Sequence, residues 1–186
     1  DIDLKFSILP ENELRDSVTQ DIATKAGQYD VVTIGTYETP IWAENGWLTK
    51  LDSYASTPEY DVGDIIAPVK EALSHDGGLY AVPFYGESSF LMYRKDLFDK
   101  AGLKMPERPT WQQVAEFAAK LDDPSGKVAG ICLRGLPGWG EVMAPLTTLM
   151  NTFGGGWYDA QWNARLTDPA TKEAVKFYVD LVREHG

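Results

Sequence analysis

The first 46 residues change their hydrophobic period from element to element. Ile2, Leu4, Phe6 and Ile8 alternate with polar residues, which is the two-residue period of a strand. After Pro10, Leu14, Val18 and Ile22 recur at every fourth position and stop before Gly27, the pattern of an amphipathic helix with a glycine C-cap. "DVVTI" (30–34) is a short apolar run, expected to be a buried strand. Thr39 as N-cap and Pro40 at the first helical position then start a second helix, which Gly46 ends. Strand, helix, strand, helix is the order of a parallel sheet covered by helices, so the expected class is α/β.

The same reading continues to the end of the chain. A helix is expected from Pro68 to Ser74, and Asp76-Gly77-Gly78 turns the chain into "LYAVPF", followed by a strand in "SFLMYR". "KDLFDKAG" predicts a short helix closing on Gly102. Thr110 and Gln113 have capping-box spacing ahead of a helix with Val114, Phe117 and Leu121 on one face. "VAGICL" reads as a buried strand. Met143, Leu146, Met150 and Phe153 carry a helix into the glycine run 154–156, and Asp168 before Pro169 caps a last helix striped by Ala174, Phe177, Tyr178 and Leu181. The whole amounts to about six or seven strands and about seven helices. "DPSGK" (123–127) lacks the upstream glycine of a phosphate loop and is read as a solvated turn.

Composition narrows the chemistry. A net charge of −11 and a pI near 4.6 argue against nucleic acid as a partner, because phosphate binding needs clustered Lys and Arg. The single cysteine, Cys132, forms no intramolecular disulfide and is expected to be a buried thiol between Ile131 and Leu133. With only His75 and His185, neither a multi-histidine zinc site nor a Ser/His/Asp arrangement has enough to build from, and no metal or cofactor is expected. No apolar run approaches the roughly 18 residues of a membrane span, and no basic-then-apolar leader precedes Asp1. Export would therefore require that a signal was removed before this chain begins.

Ligands of open parallel sheets bind beyond the carboxyl ends of the strands. Those positions hold Thr36, Tyr37 and Glu38 after "DVVTI", Phe84, Tyr85 and Glu87 after "YAVP", and Arg134 and Trp139 after "ICL". The loop after the glycine run adds Trp157, Tyr158 and Asp159. Carboxylates accept hydrogen bonds from hydroxyls, arginine donates several in a fixed fork, and aromatic faces pack against C–H surfaces. Such a mixture suits a small polyhydroxy ligand. Position by position there are plainer readings; Glu38, for one, also favours the helix N-terminus that follows it.

"LYAVPFYGESSFLMYRKDLFDKAGL" resembles the signature of extracellular solute-binding proteins of ABC transporters, in the sugar-binding group related to maltose-binding protein. "YDVVTIGTYETPIWAENGWLTKLD", "RPTWQQVAEFAAKL" and "TDPATKEAVKFYVDLV" are similar to further segments of that family and occur in its order, and the wording is nearest to members that bind mannitol or sorbitol. Arg94 departs from the family, which more often has Asn or Asp there.

The resemblance implies a two-lobed periplasmic-binding-protein-like fold of type II. The first lobe is expected over 1–86 and the second over 87–186, with the crossover near Gly86 to Ser89. Solute would bind between the lobes, with Tyr37, Glu38 and Tyr85 from the first, Glu87 at the crossover, and Arg134, Trp139 and Trp157 from the second. The implied partners are a sugar or polyol and the permease subunits of an ABC transporter, in the periplasm. Family members are about twice as long as this chain, so it is expected to be a fragment, incomplete at both ends, that swaps elements or dimerises through exposed sheet edges. A carbohydrate-active hydrolase using Glu38 and Glu87, or a non-catalytic protein-interaction domain, are the alternatives.

Overall fold

A computed structural model describes residues 2–123, 125–138 and 140–186. The chain divides into two compact units, Asp1–Ser88 and Ser89–Gly186.

In the first unit, helix α1 (Glu11–Thr24) is followed by α2 (Glu38–Glu44), α3 (Asp52–Ala55), a 3-10 turn (Val62–Asp64) and α4 (Ala67–Ala72). The hairpin β1 (Ser74–His75) and β2 (Gly78–Leu79) pairs antiparallel, Ser74 opposite Leu79 and His75 opposite Gly78. Asp76 and Gly77 both have positive φ, 47° and 71°, the conformation of a two-residue hairpin turn that the Asp-Gly pair favours. Ala55, Leu73 and Leu79 form the small core beneath it, and Trp42 and Ala43 are buried on α2.

The second unit contains α5 (Lys95–Lys100), α6 (Trp111–Leu121), α7 (Met143–Thr152) and α8 (Pro169–His185). The capping box of α6 is present in full: Gln113 N–H donates to Thr110 Oγ1 at 3.2 Å and Thr110 N–H to Gln113 Oε1 at 2.9 Å. Leu149 and Met150 of α7 and Ala174 and Tyr178 of α8 make the core, with Trp111, Leu146, Phe153, Trp157 and Phe177 packed around it. Asp168 stands at the N-cap of α8 but makes no capping hydrogen bond with its side chain; its carboxylate accepts from Arg165 Nε at 2.7 Å.

Several expectations are corrected. Among the described residues the only strands are β1 and β2, with one isolated bridge between Tyr158 and Ala164. Segments 2–8, 30–34, 90–93 and 128–133 run without assigned strand structure, and their apolar residues are largely open, Ile2 being 89% and Phe6 80% exposed. An alternating pattern makes a strand only when a neighbour supplies the ladder hydrogen bonds, and none of the described segments does so here. "DVVTI" is not a buried run: Val31 and Thr33 are exposed, and only Val32 and Ile34 are partly covered. Cys132 is exposed rather than buried, because the "VAGICL" segment joins no sheet. It is instead held by Ile131 N–H donating to the His185 carbonyl at 2.9 Å, and by Gly130 lying against the Ala118 carbonyl of α6.

Two helix ends also move. The left-handed C-cap of α1 is Lys25, at φ 55°, and not Gly27. The buried Asp21 carboxylate, in the last turns of α1, accepts from Gln28 N–H at 2.8 Å and Tyr29 N–H at 3.3 Å, so the residues just past Gly27 fold back onto the helix end instead of extending it. Helix α2 begins at Glu38, so Thr39 lies inside the helix and is fully buried, rather than capping it.

Candidate functional site

In the first unit, the turn entering α2 is tied down at Gly35. Glu38 Oε2 accepts from Gly35 N–H at 2.8 Å, while the Gly35 carbonyl accepts from Thr39 N–H at 3.2 Å and Thr39 Oγ1 at 3.0 Å. The other carboxylate oxygen of Glu38 is paired with Arg15 of α1, whose guanidinium also reaches Glu11 one helical turn earlier at 2.9 Å. Both backbone groups of Gly35 are thus satisfied. The result is a rigid turn in which the Glu38 side chain is only 13% exposed, whereas Tyr37, the residue before α2, is 69% exposed.

Residues 82–88 of the same unit are open to solvent, Glu87 among them. Phe84 and Tyr85 are both exposed, and their rings lie 5.3 Å apart with a 59° tilt. This stretch offers aromatic surface and one carboxylate without burying either.

In the second unit, Arg134 closes the loop 134–140 by donating from Nη1 to the Gly140 carbonyl. Its own carbonyl accepts from the Tyr178 hydroxyl at 2.7 Å, which anchors the start of that loop on α8. Burial is the main reason the Tyr178 phenol is raised above its usual range, an effect the nearby Arg134 charge opposes. Trp139, expected in this loop, lies outside the described residues.

Trp157 is half-buried against the core, and its Nε1 donates to Thr147 Oγ1 of α7 at 3.0 Å. The loop beyond it is organised by Asp159. Its carboxylate accepts from Asn163 Nδ2 and from Gln161 and Asn163 N–H, each at 2.9 Å, and these bonds, the Asn163 side chain foremost, hold it below the usual carboxylate range. Tyr158 and Trp162 meet across this turn, with centroids 5.6 Å apart.

The structure therefore collects the first unit's candidates around two loops, 35–38 and 84–87, and the second unit's around loop 134–140 and the turn after α7. It also names residues that strand-end reasoning passes over. Arg15 sits partly buried on α1, 23 positions before its partner, and Thr147 sits inside α7; neither position carries a local signal. Trp162 adjoins Tyr158 at a positive φ of 62°, visible in sequence only as one more loop aromatic. Among the described residues no group of His, Cys, Asp and Glu could hold a metal ion, and no helix is long and apolar enough to cross a membrane. A cavity of about 320 Å³ between α5 and α6, lined by Leu97, Lys100, Lys120 and Val128, includes none of the candidate residues.

Comparison with known proteins identifies the family of the chain. Residues 1–185 match the family described as bacterial extracellular solute-binding protein. The chain is 47% identical over 186 residues to the mannitol-binding protein of Pseudomonas aeruginosa, covering 100% of this chain and 42% of that one. An ABC transporter solute-binding protein from Agrobacterium vitis, solved with bound D-mannitol, is 54% identical with a TM-score of 0.91, covering 99% of this chain and 44% of that chain. A solute-binding protein from Agrobacterium radiobacter in complex with ribitol superposes with a TM-score of 0.81 at 27% identity, over 96% of this chain and 45% of that chain.

The chain thus spans less than half the length of these relatives and shares the periplasmic-binding-protein fold with the two solved structures. The family is one of binding proteins, so the hydrolase alternative is set aside. The protein belongs to the bacterial extracellular solute-binding protein family.

Proposed function

We propose that the protein binds a sugar alcohol, of which D-mannitol is the best candidate, and presents it to an ABC-type permease for uptake from the periplasm. The observation that carries this reading is the 54% identity and 0.91 TM-score, over nearly the whole chain, to a protein solved with D-mannitol. The chain covers 44% of that protein, so ligand, permease and location are assigned to the complete molecule as a proposal. The same reading gives the complete protein two lobes with sheets of type II strand order.

The ligand contacts we propose are Tyr37, Glu38, Tyr85 and Glu87 in the first unit and Arg134, Trp139 and Trp157 in the second. A hexitol is a run of vicinal hydroxyls, each able to donate and accept. Carboxylates and a guanidinium complement it, and aromatic faces cover its C–H edges. Rigid support of the polar groups matters as much as their identity, since a site held in its bound geometry pays less ordering entropy on binding.

Calorimetry of the protein against D-mannitol, D-sorbitol, ribitol and maltose tests this. Saturable heat is expected with the hexitols, weaker with ribitol and least with maltose, and Tyr37→Ala should weaken mannitol binding while leaving thermal unfolding nearly unchanged. Silence toward all the polyols would overturn the reading.

A further inference from the structure

We propose that Arg15 is a positioning residue for polyol recognition, acting through Glu38. This rests on the reading above, in which Glu38 meets the ligand. An ionised carboxylate has about four acceptor positions on its two oxygens. Here Gly35 N–H uses one on Oε2 and the Arg15 guanidinium one on Oε1, so each oxygen keeps a further lone pair. Two adjacent acceptors held in a fixed plane match two neighbouring hydroxyls of a polyol.

Arg15 is suited to the task by its own surroundings. Glu11 accepts from Arg15 Nε at 3.3 Å and Nη2 at 2.9 Å, leaving Nη1 for Glu38. The guanidinium is thereby oriented from one turn of its own helix before it reaches across to α2. The side chains of Arg15 and Glu38 are 23% and 13% exposed, so the pair is less screened by salt than a surface ion pair. Without Arg15, the Glu38 carboxylate would keep its bond to Gly35 but lose the contact that fixes its plane. The turn at Gly35, which carries Tyr37, would loosen with it.

The experiment is a double-mutant cycle on D-mannitol affinity with Arg15→Met, Glu38→Gln and the double variant, accompanied by Arg15→Lys and by thermal unfolding of each. Arg15→Met is expected to lower affinity about tenfold, on the scale of coupled neighbours. Arg15→Lys should recover part of the loss, and the double variant should bind no worse than Glu38→Gln alone. A structural role would instead move the unfolding temperature and give additive losses. Unchanged mannitol affinity in Arg15→Met, or strictly additive effects, overturns the positioning role while leaving the polyol reading intact. If the unmutated protein binds no polyol, both fail together. Arg15→Lys keeps the positive charge and much of the side-chain stem but not the planar fork, so its cycle with Glu38→Gln keeps the test decisive should Arg15→Met fold poorly.

Discussion

The Tyr178 hydroxyl donates at 2.7 Å to the main-chain carbonyl of Arg134, joining the last helix to a loop 44 residues earlier. Tyr178 is 3% exposed and belongs to the central cluster with Leu149, Met150 and Ala174. One side chain therefore serves both as packing for α7 and α8 and as the anchor of the Arg134 loop.

Tyr178→Phe keeps the packing and removes only the donor. It should cost about 1–2 kcal/mol, the usual penalty for leaving a partly buried carbonyl unpaired, measured as a shift of the urea midpoint without change in slope. The phenol also gives a pH signature. Its folded-state pKa is raised above the ordinary 10.0, mainly by burial, so its contribution to stability is complete below pH 10 and is lost as pH rises through the folded value. The alkaline fall in stability should accordingly be shallower in Tyr178→Phe than in the unmutated protein.

Gly155→Ala should destabilise the second unit. A Cβ at Gly155 would stand 2.9 Å from Met150 Cγ and 2.9 Å from Thr171 Oγ1, both fully or almost fully buried, with Thr171 Cα at 3.0 Å. Part of that crowding is main chain and cannot swing aside. The Thr171 hydroxyl also accepts from Gly156 N–H at 3.2 Å, which holds the turn against α8. A loss of roughly 1–3 kcal/mol is expected from overpacking, read by chemical denaturation. Gly156→Ala, whose nearest contact is the tip of the Arg165 side chain at 3.4 Å, should cost less.

Lys25→Gly should stabilise the first unit. Lys25 holds the left-handed C-cap of α1 at φ 55°, a conformation that costs a residue with a Cβ about 1 kcal/mol and glycine almost nothing. Among the described residues the Lys25 side chain forms no hydrogen bond or ion pair, so little offsets the gain. A rise in thermal midpoint for Lys25→Gly checks this; a fall would mean that the added freedom of the unfolded chain outweighs the relief of strain.

Local chemistry explains which parts of the fold were legible in the sequence. The Thr110–Gln113 box, the Asp76-Gly77 turn and the stop at Gly102 each depend on residues within a few positions, and each forms as expected. The start of α2 does not. Thr39 has the composition of a cap, but the Glu38 carboxylate takes the Gly35 N–H, and its other oxygen is held by Arg15 from a different helix. The strands fail for a related reason. Alternation in 2–8 states a period, but pairing needs a neighbour, and the pattern cannot name one. For the candidate site, loop position marked out Tyr37, Tyr85 and Trp157, but the contacts that orient the polar members came from Arg15, Thr147 and Tyr178, whose positions follow from packing alone.

Trp157 and Trp111 both pack against the Leu149–Met150–Ala174–Tyr178 cluster, so truncating either to alanine should destabilise the second unit, by roughly 3 kcal/mol on the usual scale for large aromatics. Trp111 meets Phe177 edge-on at 6.5 Å and begins α6. Trp157 differs in carrying the Nε1–H donated to Thr147 at 3.0 Å, which fixes the indole in one orientation at the turn that leads to Asp159. Trp157→Phe keeps most of the packing and removes that donor. It should lower D-mannitol affinity severalfold at a modest cost in stability, while Trp111→Phe should leave affinity unchanged. Calorimetry and thermal unfolding on the two variants separate the effects. Equal losses of affinity that track equal losses of stability would remove Trp157 from the proposed binding set and return it to the core.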